Sequence, residues 1–159
     1  MKDQPFPDQP LNSTPVSATN FEDRNFKFGS EYSYAIRTVS QGKESAIESP
    51  GSGEVSLIPR DTFPPATPTS VTGAAATGIV SLFWPANGER DLKGYIIYRA
   101  ERSDQPHSEW LRLTPAPITA TTYRDERAES GKKYYYFITA IDSAGNESSP
   151  SEGAEVENF

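Results

Sequence analysis

The chain repeats itself. Phe21-Glu22-Asp23, Gly29 and Tyr32-Ser33-Tyr34-Ala35-Ile36 return as Tyr123-Arg124-Asp125, Gly131 and Tyr134-Tyr135-Tyr136-Phe137-Ile138, at a constant offset of 102 residues (134 − 32) and without a gap. Leu11, Pro15, Val16 and Ala18 fall on Leu113, Pro117, Ile118 and Ala120 at the same offset, and a one-residue slip then sets Gly42-Lys43-Glu44-Ser45 against Gly145-Asn146-Glu147-Ser148. A period near 100 residues is too long for a solenoid, whose repeats run to about 20 to 50, and suits tandem globular domains. In 159 residues there is room for one full copy and part of another. Residues 1–58 are therefore expected to be the back half of a repeat, 59–67 a connector and 68–158 a complete domain. The front half is missing from the first copy, so residues 1 to about 20 should be irregular and 31–58 should form a hairpin at most.

The connector, Ile58-Pro59-Arg60-Asp61-Thr62-Phe63-Pro64-Pro65-Ala66-Thr67-Pro68, carries four prolines, which favour extended, stiff backbone and cannot sit inside a central strand. It reads as a spacer more than a hinge. Within the complete copy, Val80-Ser81-Leu82-Phe83-Trp84 alternates with period two between Gly78 and Pro85, which sets Val80, Leu82 and Trp84 on one inward face. Gly94-Tyr95-Ile96-Ile97-Tyr98-Arg99 is too rich in β-branched and aromatic residues for a helix, and it turns Tyr95 and Ile97 inward. Shorter strands are expected at Trp110-Leu111-Arg112-Leu113 and Thr121-Thr122-Tyr123. A long one runs from Lys133 to Asp142 with Tyr134, Tyr136 and Ile138 inward, and an edge segment lies near Ala154-Glu155-Val156. No stretch shows a 3.6-residue apolar period, so no helix is expected. Turn signals every 8 to 12 residues or so point to an all-β sandwich.

These residues carry a resemblance. Pro64-Pro65-Ala66-Thr67-Pro68-Thr69-Ser70-Val71, Leu82-Phe83-Trp84, Leu92-Lys93-Gly94-Tyr95-Ile96-Ile97-Tyr98-Arg99 and the run from Tyr134 to Ser148 together resemble a bacterial fibronectin type III domain. The resemblance implies an immunoglobulin-like Greek-key sandwich of seven antiparallel strands, A-B-E against C'-C-F-G. It also gives Tyr134 the role of the tyrosine-corner residue, its ring inward and its hydroxyl reaching a backbone carbonyl, with Tyr32 as its counterpart. The cysteine-tryptophan-cysteine spacing of true immunoglobulin domains is absent. So is the Arg-Gly-Asp tripeptide of the family's cell-adhesion members, for which Arg90-Asp91 is no substitute. Asp142-Ser143-Ala144-Gly145-Asn146-Glu147 resembles the turn closing the F-G hairpin. Its oxygens could also be imagined around a metal, but the spacing lacks the framework of a calcium loop.

Composition narrows the chemistry. Without cysteine and with a single histidine there is no disulfide framework, thiolate site, cysteine nucleophile or multi-histidine metal cluster. His107-Ser108-Glu109 cannot form a triad in an extended chain, because neighbouring side chains point to opposite sides. Glu89, Arg90 and Asp91 read as an exposed charged turn, since no apolar pocket is evident to shift a carboxyl. Asn12-Ser13-Thr14 and Asn146-Glu147-Ser148 fit the glycosylation pattern, which is common by chance. A net charge of -7 opposes binding to nucleic acid or anionic lipid. No apolar run is long enough for a membrane span, and Met1-Lys2-Asp3-Gln4-Pro5 does not open a signal-peptide core.

No catalytic, cofactor-binding or metal residues are expected, and no enzyme activity or cofactor. Phe83, Tyr98, Tyr135 and Phe137 fall on outer sheet faces. Tyr98, Tyr135 and Phe137 share one of them, either as a contact surface for sugars or partners or as cross-strand pairs that stabilise the sheet. The functional expectation is a spacer or interaction module of a larger extracytoplasmic bacterial protein, in contact with neighbouring domains and with a protein or carbohydrate surface. The alternative is an accessory domain of an extracellular carbohydrate-active enzyme, with catalysis located elsewhere.

Overall fold

Short alternating runs build the first part of the structure, a computed structural model that describes residues 9–43, 45–76 and 78–158. Backbone contacts cluster into two units, Met1–Asp61 and Thr62–Phe159. In the first unit, β1 (Tyr32–Tyr34) lies antiparallel to β4 (Val55–Leu57) with Tyr32 opposite Leu57, and β2 (Val39–Gln41) pairs with β3 (Ala46–Glu48). Residues 9–31 contain no strand. The irregular start expected for residues 1–8, and Glu44 in the repeat match, lie outside the described residues. Apolar side chains here face solvent: Leu11, Val16, Phe21, Val55 and Leu57 are exposed, and Ile36 is 74% exposed.

The second unit runs through β5 (Thr72–Ala76), β6 (Ile79–Phe83), β7 (Leu92–Ala100), β8 (Leu111–Arg112), β9 (Thr122–Asp125), β10 (Lys133–Asp142) and β11 (Ala154–Glu157). One sheet has the order β5-β6-β9 and the other β11-β10-β7-β8, with every pairing antiparallel. Between the sheets lie Val80, Leu82, Trp84, Tyr95, Ile97, Tyr134, Tyr136 and Ile138, all buried in one cluster. Trp84 meets Tyr95 edge to face, ring centres 5.4 Å apart, the offset geometry that aromatic quadrupoles favour. Ile96 and Thr139, which strict alternation turns outward, are buried as well. Three features differ from the sequence reading. A 3-10 turn, His107–Glu109, leaves only Leu111 and Arg112 of the expected Trp110–Leu113 strand in the sheet. The expected connector is partly absorbed, because Ala66 donates its amide to Glu89 and accepts from the Asn87 side chain. The hydroxyl of Tyr134, expected to reach a backbone carbonyl, accepts the backbone amide of Glu129.

One hydrogen-bond frame is built in both units. Tyr32 Oη accepts the Lys27 amide at 2.9 Å, five residues upstream, as Tyr134 Oη accepts that of Glu129 at 3.3 Å. Tyr34 donates to Asp23 Oδ2 at 2.9 Å and Tyr136 to Asp125 Oδ2 at 3.0 Å, while Oδ1 of each carboxylate takes the amide two residues on, from Asn25 or Arg127. Gly29 and Gly131 both turn at φ +76°, a backbone state costly for any side chain. Beyond the hairpin loop the offset shortens from 102 to 99 (148 − 49). Ser49 and Ser52 hydroxyls accept the Thr38 and Ile36 amides, as Ser148 and Ser151 accept those of Ala140 and Ile138. The serine lies 11 residues past its amide partner in the first unit and 8 in the second. This replaces the expected match of Gly42–Ser45 with Gly145–Ser148: the extra residues are taken up in the β2–β3 hairpin.

The second unit adds a cation to this frame. Arg99 on β7 reaches Asp125 on β9 at 2.7 Å, and its guanidinium lies 4.4 Å from the Tyr134 ring centre. Because β7 and β9 belong to different sheets, the pair ties the layers together. Asp125 is buried and Arg99 partly so, and both carboxylate oxygens accept hydrogen bonds, the condition under which such an ion pair is tolerated away from water. Burial, then the Asp125 charge, pushes the Tyr136 phenol far above its ordinary range, so it remains a donor.

Candidate functional site

On the outer face of the four-stranded sheet, register sets Tyr98 of β7 directly opposite Phe137 of β10. Trp110, at the end of the 3-10 turn, lies flat on Phe137 with ring centres 3.7 Å apart and planes within 7°. His107 stands against both Trp110 (4.5 Å) and Tyr98 (5.3 Å). The β-carbon that a larger residue would carry at Gly153 would come within 2.9 Å of the Phe137 ring, so glycine lets this ring settle on the β11 side. Of the three residues expected to share this face, Tyr98 and Phe137 join one cluster, while Tyr135, opposite Ala100, sits half-buried at its margin. Phe83 lies exposed on the other sheet.

Polar groups anchor the cluster. Trp110 Nε1 donates to the Gln105 carbonyl, and Gln105 Nε2 to that of Glu109, which fixes the β7–β8 loop. Tyr98 donates its hydroxyl to Glu147 Oε1 at 2.9 Å, an oxygen that also takes Thr139 Oγ1 at 2.6 Å. Burial first, and then this carboxylate, raise the Tyr98 phenol above its ordinary range. Trp110 and His107 were absent from the aromatic surface read from sequence, because their partners lie a strand away and no local pattern marks the contact. With one ring face and the indole N–H engaged, Trp110 serves first to hold its loop on the sheet.

The other sequence candidates resolve into structural contacts. In the β10 turn, Asp142 is buried and accepts both the backbone and side-chain nitrogens of Asn146. Its burial disfavours the charge, but these bonds and the Gly145 and Ala144 amides hold the carboxyl below its usual range. Glu89 is held below its range chiefly by the Ala66 amide. Asp142 thus closes its turn, Glu89 Oε1 holds the Ala66 amide, Glu147 Oε1 takes the Tyr98 and Thr139 hydroxyls, and His107 faces rings.

No protein-family model matches the chain. Exoglucanase B of Cellulomonas fimi is 27% identical over 146 residues, 89% of this chain and 12% of that protein. The amylopullulanase of Thermoanaerobacterium saccharolyticum is 31% identical over 113 residues, 69% of this chain and 8% of that protein. The chain therefore spans only a small fraction of the curated relatives it matches. Among solved structures, an Fn3-like protein from Clostridium thermocellum is 26% identical with a TM-score of 0.52, covering 61% of this chain and 96% of that one. The chain carries a fibronectin type III domain. A three-domain segment, FN1–FN3 of chicken CNTN1, has the same fold at 16% identity and a TM-score of 0.55, covering 87% of this chain and 46% of that one. In this fibronectin type III domain β5, β6 and β9 take the places of strands A, B and E. The other sheet supplies C, C', F and G as β7, β8, β10 and β11.

Proposed function

We propose that the chain is a non-catalytic accessory module of a larger, extracytoplasmic carbohydrate-active enzyme, holding neighbouring domains apart while catalysis proceeds elsewhere. The observation that carries this reading is the pattern of similarity. Most of the chain matches polysaccharide-degrading enzymes, yet the matched part is 12% of one and 8% of another. A segment that recurs as a minor part of enzymes with different substrates is more readily a shared accessory than the seat of either reaction. The side chains agree with this: the carboxylates and the histidine best placed for chemistry close turns or pack on rings. In the same reading, residues 1–58 are the back half of a repeat, 59–67 the connector and 68–158 the complete domain. Support for that division comes from the frame of tyrosine, aspartate and serine hydrogen bonds that recurs in both units. The aromatic cluster acts as a brace of the sheet.

Two assays test the function. The purified chain should release no reducing sugar from amorphous cellulose or pullulan. Deleting it from the full polypeptide should leave turnover of a soluble oligosaccharide intact and lower activity on the insoluble polymer several-fold. Hydrolysis by the isolated chain, or equal loss on soluble and insoluble substrates, contradicts the reading.

A further inference from the structure

We infer that the open face of the first unit is a docking surface for the A, B and C strands of its own repeat, carried in the polypeptide ahead of it and bearing an arginine that pairs with Asp23. The inference rests on the half-repeat reading and is independent of the enzyme to which the module belongs. Phe21, Asp23, Phe26, Tyr34, Leu57 and Pro59 line a hollow of about 380 Å³ in the first unit. At offsets of 102 before the hairpin loop and 99 after it, these residues correspond to Tyr123, Asp125, Ala128, Tyr136, Val156 and Asn158. In the second unit five of those six are buried, and the strand carrying Ile97 and Arg99 packs over them.

The chemistry of the occupant follows position by position. Arg99 is register partner to Tyr136 and ion-pairs with Asp125. Asp23 keeps the tyrosine and amide bonds of that site, but among the described residues no cation reaches it. The docking strand therefore runs antiparallel along the free edge of β1 with its arginine opposite Tyr34. An apolar residue two positions earlier covers Ile36, as Ile97 stands opposite Ile138. Ile36 is 74% exposed whereas Ile138 is fully buried, and the same alternation along a paired strand would remove Ile36 from water. A preceding strand with the pattern of Val80, Leu82 and Trp84 would close the second layer.

The test is a chimera. Residues 62–120 placed ahead of residue 19 supply A, B and C strands in the register of the repeat, because residue 121 corresponds to 19. Hydrogen exchange should slow about a hundredfold or more at the β1 amides relative to the original chain. Arg99→Ala in the added copy should reverse most of that gain. Unchanged β1 exchange in the chimera, with Tyr32 still adjacent to Leu57 by NMR, overturns the docking inference and leaves the half-repeat reading standing. Loss of the Tyr32–Leu57 contact in the original chain overturns the half-repeat reading itself. Sedimentation of the original chain adds a second check: a monomer is expected, and a dimer that Ile36→Asp dissociates would make a second copy the occupant and overturn the inference.

Discussion

Removing the Asp125 carboxylate would strand the Arg99 guanidinium, the Tyr136 hydroxyl and the Arg127 amide together. Breaking a buried pair from one side typically costs about 3–5 kcal/mol, so Asp125→Ala should lower the urea midpoint of the second unit sharply. The equivalent change, Asp23→Ala, leaves no arginine behind and should lie within about 0.5 kcal/mol of the parent. Equal losses at the two positions would refute this account of the inter-sheet tie. A second residue-scale expectation concerns acid. Glu89 and Asp142 have folded pKa values below their ordinary ones. Each therefore contributes stability that is complete above the unfolded carboxylate pKa, about 4. That contribution is lost as pH falls through the lower, folded value. The stability difference between the parent and Glu89→Gln should be flat near pH 7 and shrink toward zero in strong acid; a difference that grows on acidification contradicts the Ala66 contact.

Among elements, the β7–β8 loop shows how a short 3-10 turn is held by contacts distant in sequence. Trp110 rests on Phe137 of β10 and bonds back to Gln105. Trp110→Ala forfeits a ring pair worth about 0.5–1.5 kcal/mol beyond its buried area. Exchange should quicken in residues 101–110 while the β10–β11 pairing remains protected, and uniform quickening across the sheet would show that the loop is not separately braced. The inner faces of β6, β7 and β10 were legible in the sequence, because period-two alternation reports burial directly: Leu82, Ile97 and Ile138 needed no knowledge of their partners. Trp110 was not, since its partner lies 27 residues away (137 − 110) and an exposed-looking Trp-Leu-Arg-Leu run suggests a strand. Nor was the Arg99–Asp125 pair, because sequence alternation assigns a face but cannot say that two charged residues from separate sheets meet. The hairpin slip was misplaced for a similar reason: Gly-x-Glu-Ser recurs in both turns, whereas the serine-to-amide bonds that fix register span 11 residues in one unit and 8 in the other.

At the scale of the whole molecule, two units share one set of backbone and tyrosine contacts but differ in what lies against them. The second has both layers of a sandwich around Val80, Leu82, Tyr95, Tyr134 and Ile138. The first has β-ladders of two strands each, and isolated pairs of that size are marginal in water. Hydrogen bonds alone contribute only about 1 kcal/mol each after exchange with water, so a matching frame does not by itself confer matching stability. Amide hydrogen exchange on the intact chain tests this most directly. The account predicts protection close to the global unfolding limit for the β6, β7 and β10 amides and only weak protection, about tenfold over unstructured peptide, for β1 and β4. Equal, high protection of β1 and β10 would contradict it, because the first unit would then be stable without the layer it is argued to need.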